Sequence, residues 1–117
     1  MVRVLCASVA CVAGACLAAV AASAYVYGST PQGVALATAR KYAAHEVKAW
    51  NQPQVWYSLG TCSVLHRKPW LAYSCRFELH GVPDYCHGVV IVGVKRLADR
   101  SYRGQEVSGR YLDNRGC

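Results

Sequence analysis

Charge is nearly absent from the first 28 residues: Arg3 stands alone, and no charged side chain follows between Val4 and Gly28. The tight Cys-x-x-Cys pairs of structural zinc sites are also missing, which argues against a zinc finger or ribbon. The ten glycines are scattered, and none builds the strand–loop–helix signature of a phosphate-cradling loop. The chain contains no internal repeat and no low-complexity linker, so it reads as one unit. Acidic side chains are few, six Asp and Glu against 13 Lys and Arg.

What the chain does contain begins with an export pattern. A basic start, an Ala/Val-rich stretch and the triplet Ala22-Ser23-Ala24 form a secretory leader with cleavage expected after residue 24. The same run, counted from Val4 to Gly28, spans 25 residues and is long enough for an uncleaved membrane anchor. Both readings put the rest of the chain outside the cytosol, secreted or held at the membrane. Ala13-Gly14-Ala15-Cys16 lacks the large apolar residue of a lipoprotein signal, so Cys6, Cys11 and Cys16 read as small apolar residues of the leader. Residues 29–117 are then a small, basic α+β domain, with twelve Lys and Arg against six acids. At that size covalent staples matter.

The pattern within this domain changes period once. Ser29-Thr30-Pro31 supplies a capping hydroxyl followed by proline at a first helical position. Leu36, Ala39, Ala43, Val47 and Trp50 then recur at spacings of three and four, and Asn51-Gln52-Pro53 stops the helix. Beyond it, Leu71, Tyr73, Cys75, Phe77 and Leu79 alternate with Ala72, Ser74, Arg76, Glu78 and His80, a half-buried strand. Val55 to His66 reads as an earlier strand with a bulge at Gly60, Tyr85 to Arg96 as a central strand, and Tyr102 to Leu112 as a fourth. Short turn-rich connections join them. The expected fold is one N-terminal helix packed on a four-stranded antiparallel meander, preceded by the apolar leader or anchor helix.

Hairpin geometry places the cysteines. A first turn at Lys68-Pro69 sets Cys62 opposite Cys75, and a third turn at Asp99 brings Cys86 opposite a position near Leu112, within reach of Cys117. Cys62–Cys75 and Cys86–Cys117 is the favoured pairing, although four cysteines permit three. A metal site built from Cys75, His80, Cys86 and His87 competes for the same thiols, and an oxidising compartment disfavours it. No cofactor is expected.

Two functional readings follow from the sheet face turned away from the helix. Trp70, Val89 and Ile91 fall on it with Arg76 and Lys95, apolar groups rimmed by cations, which suits a non-enzymatic binding or accessory domain. Trp56 extends this surface. The expected partner is a protein or an anionic envelope surface, with nucleic acid disfavoured and the membrane engaged through residues 4–28. If the leader stays attached, the domain becomes an accessory subunit beside a membrane complex. The second reading uses Glu78, His80, His87 and Arg76, which a turn near Val82-Pro83 gathers on one hairpin. Two imidazoles, a carboxylate and a guanidinium suit acid–base work on a phosphodiester.

These residue types on a helix-backed antiparallel sheet resemble those of small secreted microbial ribonucleases, which implies a hydrolase of that class. No stretch carries that family's sequence motifs. The helix-plus-meander arrangement is also similar to that of cystatin-like domains, which implies protease inhibition. The inhibitory Gln-x-Val-x-Gly segment is absent, however, since Gln52-Pro53-Gln54-Val55-Trp56 differs in order, and Pro69-Trp70 falls one hairpin too early.

Overall fold

The computed structural model describes residues 25–51, 53–81 and 85–112. The leader and anchor readings therefore lie outside the described residues except at their last few positions. So do Cys117 and the Val82-Pro83 turn. Among the described residues no helix is long and apolar enough to cross a membrane.

One helix packs on one face of an antiparallel sheet, an α+β arrangement. Strand β1 spans Val26–Gly28, helix α1 Pro31–Trp50, β2 Trp56–His66, β3 Leu71–His80, β4 Tyr85–Arg96 and β5 Tyr102–Tyr111. Strand order across the sheet is β1-β5-β4-β3-β2. The expected four-stranded meander is present as β2 to β5, and the expectation falls one strand short. Val26, Tyr27 and Gly28 pair antiparallel with Gly104, Arg103 and Tyr102 at the far edge of β5. These three residues end the uncharged run, where composition does not distinguish them from a leader, and a three-residue strand is too short to reveal its period.

Both ends of α1 obey local chemistry. Thr30 Oγ1 accepts the Gly33 N–H at 3.1 Å, and Pro31 occupies the first turn, where a missing donor costs nothing. At the other end Asn51 adopts a left-handed conformation, φ 51°, and donates its N–H to the Lys48 carbonyl. Between the caps the buried face differs from the expected stripe. Val34, Ala35, Thr38, Ala39 and Ala43 are buried, whereas Leu36 is only partly covered. Burial here follows size as well as hydrophobicity, because the sheet comes close.

Glycines permit that approach. A Cβ on Gly104 would lie 2.4 Å from Val34 Cγ1 and 2.6 Å from Thr38 Oγ1, and one on Gly109 would lie 2.3 Å from the Tyr42 ring. Strand β5 therefore presents backbone to the helix, while Phe77, Leu79, Val90 and Val92 of β3 and β4 fill the core. Gln32 Nε2 donates to the Cys62 carbonyl at 2.8 Å, and the Tyr111 hydroxyl donates to Glu46, fastening α1 to both sides of the sheet.

The Cys62–Cys75 disulfide is present, joining directly opposed residues of β2 and β3. Its 13-residue separation corresponds to a loop-closure contribution of about 3 kcal/mol in the chain-entropy account. Cys86 is also disulfide-bonded, and it is fully buried. Both sulfur atoms proposed for the metal site, Cys75 and Cys86, are thus oxidised. Disulfide bonding is compatible with an extracytoplasmic location.

The tight helix–β5 contact makes a prediction. Gly104→Ala should lower unfolding free energy by about 1–3 kcal/mol through overpacking against Val34 and Thr38. Urea denaturation would measure it; an unchanged midpoint would mean that the helix yields freely.

Candidate functional site

Strand register assigns every residue of the outer face, the one turned away from α1. Inward positions Tyr73, Cys75, Phe77 and Leu79 belong to the core, so their neighbours Ala72, Ser74, Arg76, Glu78 and His80 face outward. Ten consecutive β3–β4 pairs then lay the outer residues in rows. His80 opposes Tyr85, Glu78 opposes His87, Arg76 opposes Val89, Ser74 opposes Ile91 and Ala72 opposes Gly93. The neighbouring strands extend the rows: Trp56 beside His80, Ser58 beside Glu78, Arg110 beside Val89 and Arg103 beside Lys95.

The first two rows form a polar cluster. Glu78 accepts the Ser58 hydroxyl at 3.1 Å through Oε1, and His80 Nε2 lies 3.3 Å from the same oxygen. His87 Nε2 lies 3.3 Å from the other oxygen, Oε2, and 3.1 Å from the Tyr85 hydroxyl. Trp56 stacks on His80 with ring centroids 3.9 Å apart and planes 8° from parallel. A hydrogen bond from Tyr85, another from Ser58, and the adjacent His87 and His80 rings hold the Glu78 carboxyl below its ordinary value, against partial desolvation. Beside this cluster is a hollow of about 340 Å³ lined in part by Ser58, Gly60, Arg76, Glu78 and His87.

The opposite end of the face is different. Trp70, Gly93, Lys95, Arg103, Gln105 and Val107 line a hollow of about 270 Å³. Trp70 is 42% exposed, and its His66 neighbour meets the indole edge-on at 4.7 Å. The Arg103 guanidinium sits 4.3 Å from the Tyr25 ring centroid, in cation–π geometry.

No known protein family, curated protein or solved structure matches this chain. The roles of its residues must therefore come from its own geometry.

That geometry brings together Glu78, His80 and His87, with Arg76 one row away. It also places Trp70 and Lys95 on one hollow. Val89 is not an exposed contact residue: it is buried, flanked in register by Arg76 and Arg110. Ile91 is half-buried. Among the described residues, no group of His, Cys, Asp and Glu is arranged to hold a metal ion.

Sequence reasoning missed Ser58 and Tyr85 in the cluster and Arg103, Arg110, Gln105 and Val107 elsewhere. Alternation alone identifies two of them, since Tyr85 lies two residues before His87 and Ser58 two after Trp56. The β5 residues were harder to place. The register shifts between Ile91 and Val92, which oppose Ser108 and Glu106, so Val107 is an extra residue in the ladder.

The lowered Glu78 value fixes a sign. Its ionised form stabilises the fold above the ordinary carboxylate range, and that stability is lost as pH falls through the lowered folded-state value. Wild type should therefore exceed Glu78→Gln in melting temperature most at neutral pH, and the gap should close below about pH 4. A gap independent of pH would show that Glu78 contributes by packing alone.

Proposed function

We propose that this domain is a non-enzymatic binding module that takes an acidic partner on its outer sheet face. The asymmetry of charge on that face carries the reading. Arg76, Lys95, Arg103 and Arg110 lie on it in register, and the single described carboxylate among them, Glu78, is bracketed by two imidazoles. Such a surface attracts anions over several ångströms and resists cationic partners. Exposed Trp56 and Trp70, one at each end, supply the large apolar contacts that concentrate binding energy.

Poly-L-glutamate and vesicles of mixed phosphatidylglycerol and phosphatidylcholine are suitable probes for the oxidised protein. Binding to at least one should be saturable at low salt and fall steeply as salt rises. Arg76→Ala with Arg110→Ala should weaken it about tenfold. Trp70→Ala should weaken binding while costing about 1 kcal/mol or less of stability, as for a residue outside the core. A loss of about 3 kcal/mol or more would make Trp70 a core residue, and failure of both probes to bind would remove the reading.

The convergence of Glu78 with His80 and His87 favours a second reading, hydrolysis of a phosphodiester. One imidazole would remove a proton and the other return it, with Glu78 orienting both rings and Arg76 stabilising negative charge as it develops. Cleavage of single-stranded RNA between pH 5 and 8 tests this. Activity should fall about 100-fold or more in His87→Gln and persist in Trp70→Ala. An intact, oxidised wild-type protein without cleavage would end the hydrolase reading and leave the binding module.

A further inference from the structure

We propose that the hollow at the Trp70 end of the outer face is a subsite for a flat ring bearing an anionic group, as in an aryl phosphate. The inference rests on the reading of this face as an anion-binding surface and narrows it to one ligand chemistry.

Its first support is a pair of like charges without an ion-pair partner among the described residues. Lys95 and Arg103 are directly opposed in the β4–β5 ladder, an arrangement that disfavours pairing unless something offsets the repulsion. Neither forms an ion pair with another described residue. The described outer-face carboxylate, Glu78, opposes His87, eight residues along β4 from Lys95 and so about 26 Å away at the usual rise per residue. Asp99, in the turn between the strands, is already engaged by the backbone N–H and hydroxyl of Ser101. An anion seated between the two cations relieves the repulsion. The Arg103 guanidinium lies 4.3 Å from the Tyr25 ring centroid, and a guanidinium can offer two parallel N–H groups to a phosphate or carboxylate.

The second support is the apolar floor beside those cations. Gly93, half-buried and without a side chain, lets two apolar groups close over the sheet there: a Cβ added to it would stand 3.3 Å from Trp70 Cζ3 and 3.4 Å from Val107 Cγ2. A partly exposed indole and isopropyl group thus form an apolar surface over half-buried backbone, and Gln105 also lines the hollow. A bare inorganic anion would use only the cations. A ring attached to the anion uses Trp70 and Val107 as well, by stacking and by burial. At about 270 Å³ the hollow falls just under the usual range of small-molecule pockets, roughly 300–1,000 Å³, so it suits a single ring with its charged group.

Calorimetric titration of the intact oxidised protein with phenyl phosphate, inorganic phosphate and phenol tests the proposal. Phenyl phosphate should saturate with a Kd of about 0.1–1 mM, and the other two should bind at least tenfold more weakly. Trp70→Ala should reduce phenyl phosphate to the affinity of inorganic phosphate, and Lys95→Ala with Arg103→Ala should reduce it to that of phenol. Arg40→Ala, on the exposed side of α1, should leave phenyl phosphate binding unchanged. Because the cations repel each other, Lys95→Ala should melt at or above the wild-type temperature.

Equal binding of phenyl phosphate and inorganic phosphate by the wild type would overturn the subsite. So would unchanged phenyl phosphate binding in the double variant. If phenyl phosphate fails while poly-L-glutamate still binds in an Arg76- and Arg110-dependent manner, the subsite falls and the anion-binding face stands; if both fail, both fall. A phosphotyrosine peptide separates the sources of the ring: tighter binding than phenyl phosphate assigns the site to a polymer side group, and equal or weaker binding to a free small molecule.

Discussion

The ten-residue register between β3 and β4 is the constraint on which the outer face depends. Each strand alternates between core and surface, so a slip of one residue would carry Phe77, Leu79, Val90 and Val92 out of the core and turn Arg76, Glu78 and His87 into it. Burying a carboxylate and a guanidinium under α1 would cost far more than any hairpin turn could restore. The same hydrophobic demand that holds the core therefore aligns the polar rows. Glu78 meets His87, and Arg76 meets Val89, because the opposite faces of those strands must meet the helix.

The far side of the sheet contributes in a complementary way. Glycines on β5 let Val34, Thr38 and Tyr42 of α1 settle close to the strand backbone. This contact covers the core from one face only. Among the described residues α1 is the one helix and it packs on one face, and the composition of the other face departs from a neutral solvated sheet. Cations recur along β3, β4 and β5, aromatic rings stand at both ends, and the one described carboxylate among them is enclosed by hydrogen bonds. Anion attraction and aromatic contact thus coexist on one surface, and the two hollows at its ends are chemically distinct.

Much of the fold was legible because it rests on local rules. The caps of α1 follow from Thr30, Pro31 and Asn51; the β3 alternation is unbroken; and the short turns leave little freedom in pairing β2, β3 and β4. The opposition of Cys62 to Cys75 and of Glu78 to His87 follows from counting outward from those turns. Strand β1 was not legible, since three residues at the end of an apolar run carry no period of their own. Nor was the buried side of α1, because a hydrophobic stripe locates Leu36 without registering that the sheet demands small residues at Ala35 and Ala39. The Lys95–Arg103 apposition depends on crossing the 97–100 turn, and the extra residue Val107 shifts everything beyond it.

The sequence alone thus determined the elements and the neighbours within each hairpin, because caps, proline, alternation and turn chemistry act over a few residues. Tertiary structure decided which groups from different hairpins share a surface. Trp70, Arg103 and Val107 come together over Gly93 only when β5 joins the sheet with its bulge in place, and Val89 becomes buried only in the assembled rows. Such contacts depend on ladder register and strand twist summed over the whole sheet, quantities that no short window of residues contains.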